Sequence, residues 1–194
     1  DKKNRDNMSK IVAVVSSPRT KGNSNSIVDA ITDGAMGLST NIIKLHRLDR
    51  IRSLHGCKGC MNCKVKGQCV QDDEITDILE DVKSADHVIL ATPVYFDGAS
   101  SQFKTLLDRM FSLISPDGST LIPEGKTLTL VVTCGGPEDV AQSVANKISS
   151  IMKTLGFKDQ KIITYSDRGG SHNAAAEGEL MDMAKEHGRT FRNT

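Results

Sequence analysis

Short β-branched runs recur along the chain: KIVAVVS (10–16), NIIKLH (41–46), HVILATP (87–93), TLTLVVT (127–133) and KIITYS (161–166). Between most of them, apolar residues return at the three- and four-residue spacing of an amphipathic helix. These stretches are Ser24–Met36, Glu74–Val82, Ser101–Leu113, Asp139–Leu155 and Ala174–His187. The runs read apolar throughout instead of alternating, so both faces of each strand need a cover. Strands of that kind, each followed by a helix, predict a parallel sheet sandwiched between helices. The connection after the second strand breaks the pattern, because residues 47–73 show no clear helical period.

Five such βα units predict an α/β, doubly wound, flavodoxin-like fold with strand order 2-1-3-4-5 and an insertion after strand two. At 194 residues the chain fits one domain, expected over 10–194 with the insertion at 47–73. Residues 1–9 read as a disordered leader or cloning remnant, with Met8 as the native start.

Lys plus Arg total 25 against 24 for Asp plus Glu, a net charge of +1, which makes no electrostatic case for nucleic acid or an anionic membrane. The longest apolar runs, such as Ile11–Val15 and Leu128–Val132, are far too short to cross a bilayer. No signal peptide is legible, so a reducing cytoplasmic setting is expected, where disulfides are rare.

In a doubly wound sheet, ligands bind beyond the carboxyl ends of the strands. The loop after strand one, SSPRTKGNSNS (16–26), offers small hydroxyl residues, a Gly and an Asn at a helix start, where backbone N–H groups point at an anion. Its candidates are Ser16, Pro18, Arg19, Gly22, Asn23, Ser24 and Asn25. Gly22 is followed by Asn23 and Ser24, so the lysine of a Walker loop is missing, as is any Gly-x-Gly-x-x-Gly fingerprint. A single terminal phosphate suits what remains; the plainer alternative is Ser or Asn capping a helix. After strand three, TPVYFDG presents Pro93, Val94, Tyr95, Phe96, Asp97 and Gly98. An exposed apolar run there needs something flat to cover it, unless Tyr95 and Phe96 fold back into the core. After strand four, Thr133, Gly135 and Gly136 let backbone approach a ligand closely, while Cys134 reads as a small packed residue.

These loops carry a resemblance. SSPRTKGNSNS resembles the Gly-Ser-Pro-Arg-x-x-Gly-Asn-Ser/Thr phosphate loop of the NADPH-dependent FMN reductases, with Ser16 where that family usually has Gly. ATPVYFDGASSQFKTLLDR (91–109) resembles the family's second signature, the strand and loop that support the flavin ring. CKGCMNCKVKGQC (57–69), a Cys-x2-Cys-x2-Cys-x5-Cys pattern, looks like the compact cluster motif of the family's iron–sulfur flavoprotein branch. The likeness runs from about Lys10 to about Asp167; the C-terminal stretch carries no matching motif.

Structural zinc sites usually present two Cys pairs separated by a longer loop. Here Cys57, Cys60 and Cys63 form one ladder, with Cys69 six residues on. Bacterial ferredoxins use such a ladder for three corners of a [4Fe–4S] cube. Gly56, Gly59 and Gly67 would relieve crowding, and Lys58, Lys64 and Lys66 would offset cluster charge. The four cysteines are therefore expected to hold one [4Fe–4S] cluster, with a single structural zinc as the alternative. His55 reads as a solvated loop residue, and Asp72, Asp73 and Glu74 as an acidic helix start. The Asp108–Arg109 pair, apart from its place in the signature, reads as surface or helix-packing charge.

The resemblance implies a flavin-dependent oxidoreductase with FMN and a [4Fe–4S] cluster as cofactors. No protein acid, base or nucleophile is required, because the flavin carries the chemistry. Electrons would come from a ferredoxin or from NAD(P)H and leave to a quinone or an oxygen species. A homodimer or homotetramer is implied as well. Two other readings are an NAD(P)H-dependent FMN reductase with a zinc site, and a non-enzymatic redox-sensing module on the same fold.

Overall fold

A computed structural model of the chain describes residues 9–37 and 41–191. Residues 1–8 of the expected leader lie outside that description. Ser9 is buried, and its carbonyl accepts a hydrogen bond from the Ile42 N–H.

Among the described residues, six strands form the sheet: β1 (Lys10–Val15), β2 (Ile42–Arg47), β3 (His87–Tyr95), β4 (Gly98–Ala99), β5 (Thr127–Cys134) and β6 (Asp159–Ser166). The five long strands run parallel in the order β2-β1-β3-β5-β6. This departs from the expected numbering only through β4, a two-residue strand that pairs antiparallel with the end of β3. The hairpin between them turns on Phe96 and Asp97, whose φ values of 47° and 57° are both left-handed. A two-residue hairpin turn twists correctly with its strands only when both central residues take positive φ. Neither residue is the Gly or Asn that usually supplies it.

Among the described residues, six α-helices accompany the strands: α1 (Asn23–Met36), α2 (Cys63–Lys66), α3 (Glu74–Ser84), α4 (Ser101–Arg109), α5 (Glu138–Thr154) and α6 (Gly178–Arg189). The helix expected over Ser101–Leu113 tightens into a 3-10 turn at Met110–Leu113, and the last helical stretch opens with another at Ala174–Ala176. The side chains of β1 show why the strands read apolar throughout. Val12 and Val14 enter one core with residues of α3, α4 and α5; Ile11, Ala13 and Val15 enter the other with Ile27, Val28 and Ile31 of α1 and Ala184 of α6.

Helices α1 and α6 meet backbone to backbone. A Cβ built on Gly34 would lie 1.9 Å from the Lys185 carbonyl oxygen, and one on Gly188 would lie 1.9 Å from that of Ile31. Only glycine at both positions permits this approach. It presses the C-terminal helix onto the helix that begins at the first loop. No helix among the described residues is long and apolar enough to cross a membrane.

Candidate functional site

A cleft of about 370 Å³ opens beyond the carboxyl ends of β1, β3, β5 and β6. Strand β1 is the switch point of the sheet, flanked by β2 on one side and β3 on the other, and its loop supplies one wall. That wall is Ser17, Arg19, Lys21, Gly22, Asn23 and Ser24. Gly22 precedes α1 in extended conformation, and no side chain caps the helix there. The first N–H groups of a helix lack intrahelical partners and carry the positive end of its dipole. An uncapped start in a cleft can therefore receive an anion. Gly22 packs tightly in the turn, since a Cβ there would stand 3.0 Å from both the Arg19 Cβ and the Arg19 carbonyl oxygen.

The side chains of this loop are mostly committed to holding it. Ser24 Oγ shares a 2.7 Å hydrogen bond with Thr133 Oγ1, tying α1 to the end of β5. Asn25 donates to the Arg19 carbonyl at 2.6 Å and accepts from Arg47 of β2. Asn23 donates to Asp167 at 3.2 Å and accepts from the Ala174 N–H at 3.0 Å, latching the loop after β6. Ser16 is fully buried and turned towards β3, donating to the Ala91 carbonyl at 3.1 Å and accepting from Ser100 Oγ at 2.8 Å. Ser16 and Asn25 thus brace the loop from behind and do not line the cleft, and Pro18 is exposed outside it.

The second wall is Pro93, Val94 and Tyr95, and the third is Thr133, Cys134 and Gly135. Phe96 and Asp97 sit exposed at the hairpin tip, and Phe96 is fully exposed with relative accessibility of 107%. Tyr95 and Phe96 therefore do not fold back into the core. Gly98 begins β4 and, like Phe96 and Asp97, does not line the cleft. Gly136 lines a shallower groove beside it with Pro137, Ser166 and Arg168. Cys134 packs as expected, its thiol donating at 3.3 Å to the Gly136 and Pro137 carbonyls.

The cysteine loop lies between the short 3-10 turn Leu48–Arg50 and α3. Cys57 and Cys60 are exposed, while Cys63 and Cys69 are half-buried. Gly59, Met61 and Gly67 take left-handed backbone, with φ of 64°, 58° and 73°. A Cβ at Gly56, Gly59 or Gly67 would meet nothing within 4 Å. Four thiols in thirteen residues on so tightly turned a backbone suit a thiolate-ligated cluster by donor chemistry. The side chains as placed do not assemble it: among the described residues, no three His, Cys, Asp or Glu come together as a metal-binding group. Lys64, expected to offset cluster charge, instead donates to the Phe111 and Ile114 carbonyls and sits 3.6 Å above the Phe111 ring.

Arg109 decides between the two readings the sequence left open: it is a helix-packing charge, 1% exposed, and not a surface one. It donates to both carboxylate oxygens of Asp73 at 2.8 and 2.9 Å, to Thr76 Oγ1 at 2.9 Å and to the His55 carbonyl at 3.0 Å. Asp73 also caps α3, accepting from the Thr76 N–H at 3.2 Å. The hydrogen bonds from Arg109 hold the Asp73 carboxyl below its ordinary pKa, against the opposing effect of burial. Burial pushes the Arg109 pKa down, but Asp73 and the nearby Cys69 more than reverse it. His55 itself is exposed, bonded to Ser53 at 2.9 Å.

The sequence profile described as NADPH-dependent FMN reductase matches residues 9–187. The chain belongs to that family. Within it the chain falls in the iron–sulfur flavoprotein branch. It is 30% identical to an iron–sulfur flavoprotein of Methanosarcina thermophila over 70% of each chain. It is 33% identical to one of Archaeoglobus fulgidus over 68% of this chain and 59% of the relative, so it spans somewhat over half of that protein's length. Among solved structures, the NAD(P)H:quinone oxidoreductase of Methanothermobacter marburgensis shares the fold, with a TM-score of 0.74 and 14% identity over 94% of this chain and 96% of that one.

The loop after β6 is the part of the FMN reductase cleft that the sequence reading missed. Asp167, Gly170, His172 and Asn173 form its fourth wall. The Asp167 carboxylate accepts from both Asn23 and the Gly170 N–H. A signal was present: the Gly169–Gly170 pair follows β6 as Gly135–Gly136 follows β5. Ser17 and Lys21 of the first loop line the cleft as well, beyond the candidates its sequence suggests.

Proposed function

We propose that this FMN reductase family member binds FMN in the four-walled cleft and one [4Fe–4S] cluster on Cys57, Cys60, Cys63 and Cys69. In this reading it passes electrons from a ferredoxin or NAD(P)H to a quinone or oxygen species. The observation that carries the reading is the uncapped start of α1 facing the cleft at the carboxyl edge of the sheet. The N–H groups of Asn23 and Ser24, the Ser17 hydroxyl and Arg19 would hold the phosphate. Pro93, Val94 and Tyr95 would border the ring on one side, and Thr133 and Gly135 on the other.

Bound FMN supplies two-electron hydride chemistry and one-electron exchange, and a cluster supplies one-electron exchange alone. The chain's own residues bind, orient and shield. The Ser24–Thr133 and Asn23–Asp167 bonds fix the phosphate loop against β5 and β6. With a flavin bound, Val94 and Tyr95 would shield one side of it from water. A homodimer or homotetramer in the cytoplasm belongs to the same proposal.

Two measurements test it. FMN should bind more tightly than riboflavin, which lacks the anion, and than FAD, which carries a second nucleotide; equal affinity for riboflavin and FMN would remove the phosphate assignment. Anaerobic reconstitution should give about four iron and four acid-labile sulfide per chain, the content of one cube. One zinc and no sulfide would favour the zinc-containing FMN reductase instead.

A further inference from the structure

Arg109 joins both ends of the cysteine loop. Its guanidinium holds the His55 carbonyl, two residues before Cys57, and the Asp73 carboxylate, four residues after Cys69. A second bond closes the same base: Gln71 Nε2 donates to the Gly56 carbonyl at 3.1 Å. Thr76 bridges the two, donating to the Gln71 carbonyl and accepting from Arg109. The thirteen residues with the four thiols therefore hang from one polar knot around the buried Arg109.

The knot is built around a charge with a donor to spare. Arg109 Nε is buried and makes no hydrogen bond among the described residues. A fully buried N–H left unpaired costs stability, so a charge kept there with an idle donor calls for an acceptor. The thiols flanking the knot are Cys57, two residues after His55, and the half-buried Cys69, four residues before Asp73. Thiolate and cluster sulfurs accept such bonds, and hydrogen bonds and charge near the sulfurs set a cluster's reduction potential. A single Arg–Asp pair that served only to pack α4 against α3 would have no need of the His55 carbonyl.

We propose that Arg109 is the positioning residue of the cysteine loop, clamping its two ends at His55 and Asp73 and raising the reduction potential of the cluster held there by its positive charge. This rests on the cluster reading above. On reduction the cluster gains one electron and hence one negative charge. A buried cation beside it favours the reduced form, and a buried anion in the same knot opposes it.

The test uses full-length protein reconstituted anaerobically, with dithionite as reductant and the cluster's paramagnetic signal as readout, together with the rate of iron release to a chelator. Arg109→Met removes the cation and should lower the midpoint potential; Asp73→Asn removes the anion and should raise it. Both loosen the clamp and should speed iron release, by ~10- to 100-fold on the scale of outer-shell ligand partners. Opposite shifts in potential are what a purely structural pair would not produce. Should Arg109→Met fail to fold, Arg109→Lys keeps the charge but not the fork. It should release iron faster with a potential nearer wild type than the shift seen in Asp73→Asn. Unchanged potential and iron release in the variants, or shifts of the same sign in Arg109→Met and Asp73→Asn, would overturn the proposal while leaving the wild-type cluster in place. A wild-type chain that takes up no iron and sulfide would overturn the cluster reading, and this inference with it.

Discussion

Replacing Gly188 by Ala should destabilise the protein although alanine is the better helix former. The added Cβ would stand 1.9 Å from the Ile31 carbonyl oxygen and 2.9 Å from the Ala35 nitrogen. Both are backbone atoms, so no rotamer change relieves the overlap, and α6 must retreat from α1 by at least about 1.1 Å to reach the 3.0 Å floor of real contacts. Overpacking of this kind costs ~1–3 kcal/mol, and two rigid helices place it at the upper end. Helix propensity returns ~1 kcal/mol of that. The net loss is ~1–2 kcal/mol, or a Tm lower by roughly 2–8 °C in a chain of this size. Gly178→Ala, in the first turn of the same helix where a Cβ meets nothing within 4 Å, is the control and should leave Tm unchanged or raised. The site should feel the change too. The Ala174 turn that leads into α6 is latched to Asn23, so FMN affinity should fall with Tm. A calorimetric Tm for Gly188→Ala at or above wild type would refute this account of the α1–α6 contact.

Phe96→Asn should stabilise the protein by ~0.5–1 kcal/mol in a denaturant melt, since asparagine tolerates the positive φ of the hairpin tip. Burial, reinforced by Lys161 and His87 and opposed by Asp159, holds His187 below its ordinary pKa. The folded chain therefore takes up that proton at lower pH than the unfolded chain. The stabilisation is complete above about pH 6.5 and is lost as pH falls towards the folded pKa. Thermal melts should show Tm declining below that pH, with a flatter profile in His187→Gln. Thr133→Val strands Ser24 Oγ in a buried site and should cost ~1–3 kcal/mol in a denaturant melt. Ser24→Ala combined with Thr133→Val, which removes both partners, should cost less than the sum of the two single changes.

The long strands were legible because burial on both faces leaves a mark that composition cannot hide. Ile11 to Val15 contribute to two cores at once, and no polar residue interrupts them. The helices were legible to within a residue or two where one apolar stripe decides them, as in α5 and α1. Strand β4 was not, because Tyr95-Phe96-Asp97-Gly98 lacks the Asn-Gly or Asp-Gly dipeptide at its turn centre; the backbone takes positive φ at Phe96 and Asp97 regardless. The phosphate loop was legible as a loop, yet the roles of its members were not. Whether Ser16 faces a ligand or Ser100 depends on a strand seventy-five residues on. Arg109 is the sharpest case. Helical spacing places it on α4, but its burial is decided by Asp73 and His55, which no local pattern connects to it.

That long-range knot also bears on how a loop so open could hold a cluster. Cys57 and Cys60 are exposed, and the loop's only helix, α2, has a single turn. Ordering such a loop around a metal draws on binding free energy, because folding and metal capture are one event there. A cross-link that closes a loop of about fifteen residues removes ~3 kcal/mol of closure entropy from that event in the chain-entropy model. The Arg109 clamp spans 55 to 73 and is non-covalent, so it supplies only part of that figure. Even two-thirds of it, ~2 kcal/mol, is roughly thirtyfold in metal affinity. That falls within the ~10- to 100-fold attributed to partners outside the ligand set. The clamp is assembled from α3, α4 and the loop's own base, all anchored in the core beneath the sheet. In the proposed reading, the clamp holds the ends of the loop while the thiols between them converge on the metal.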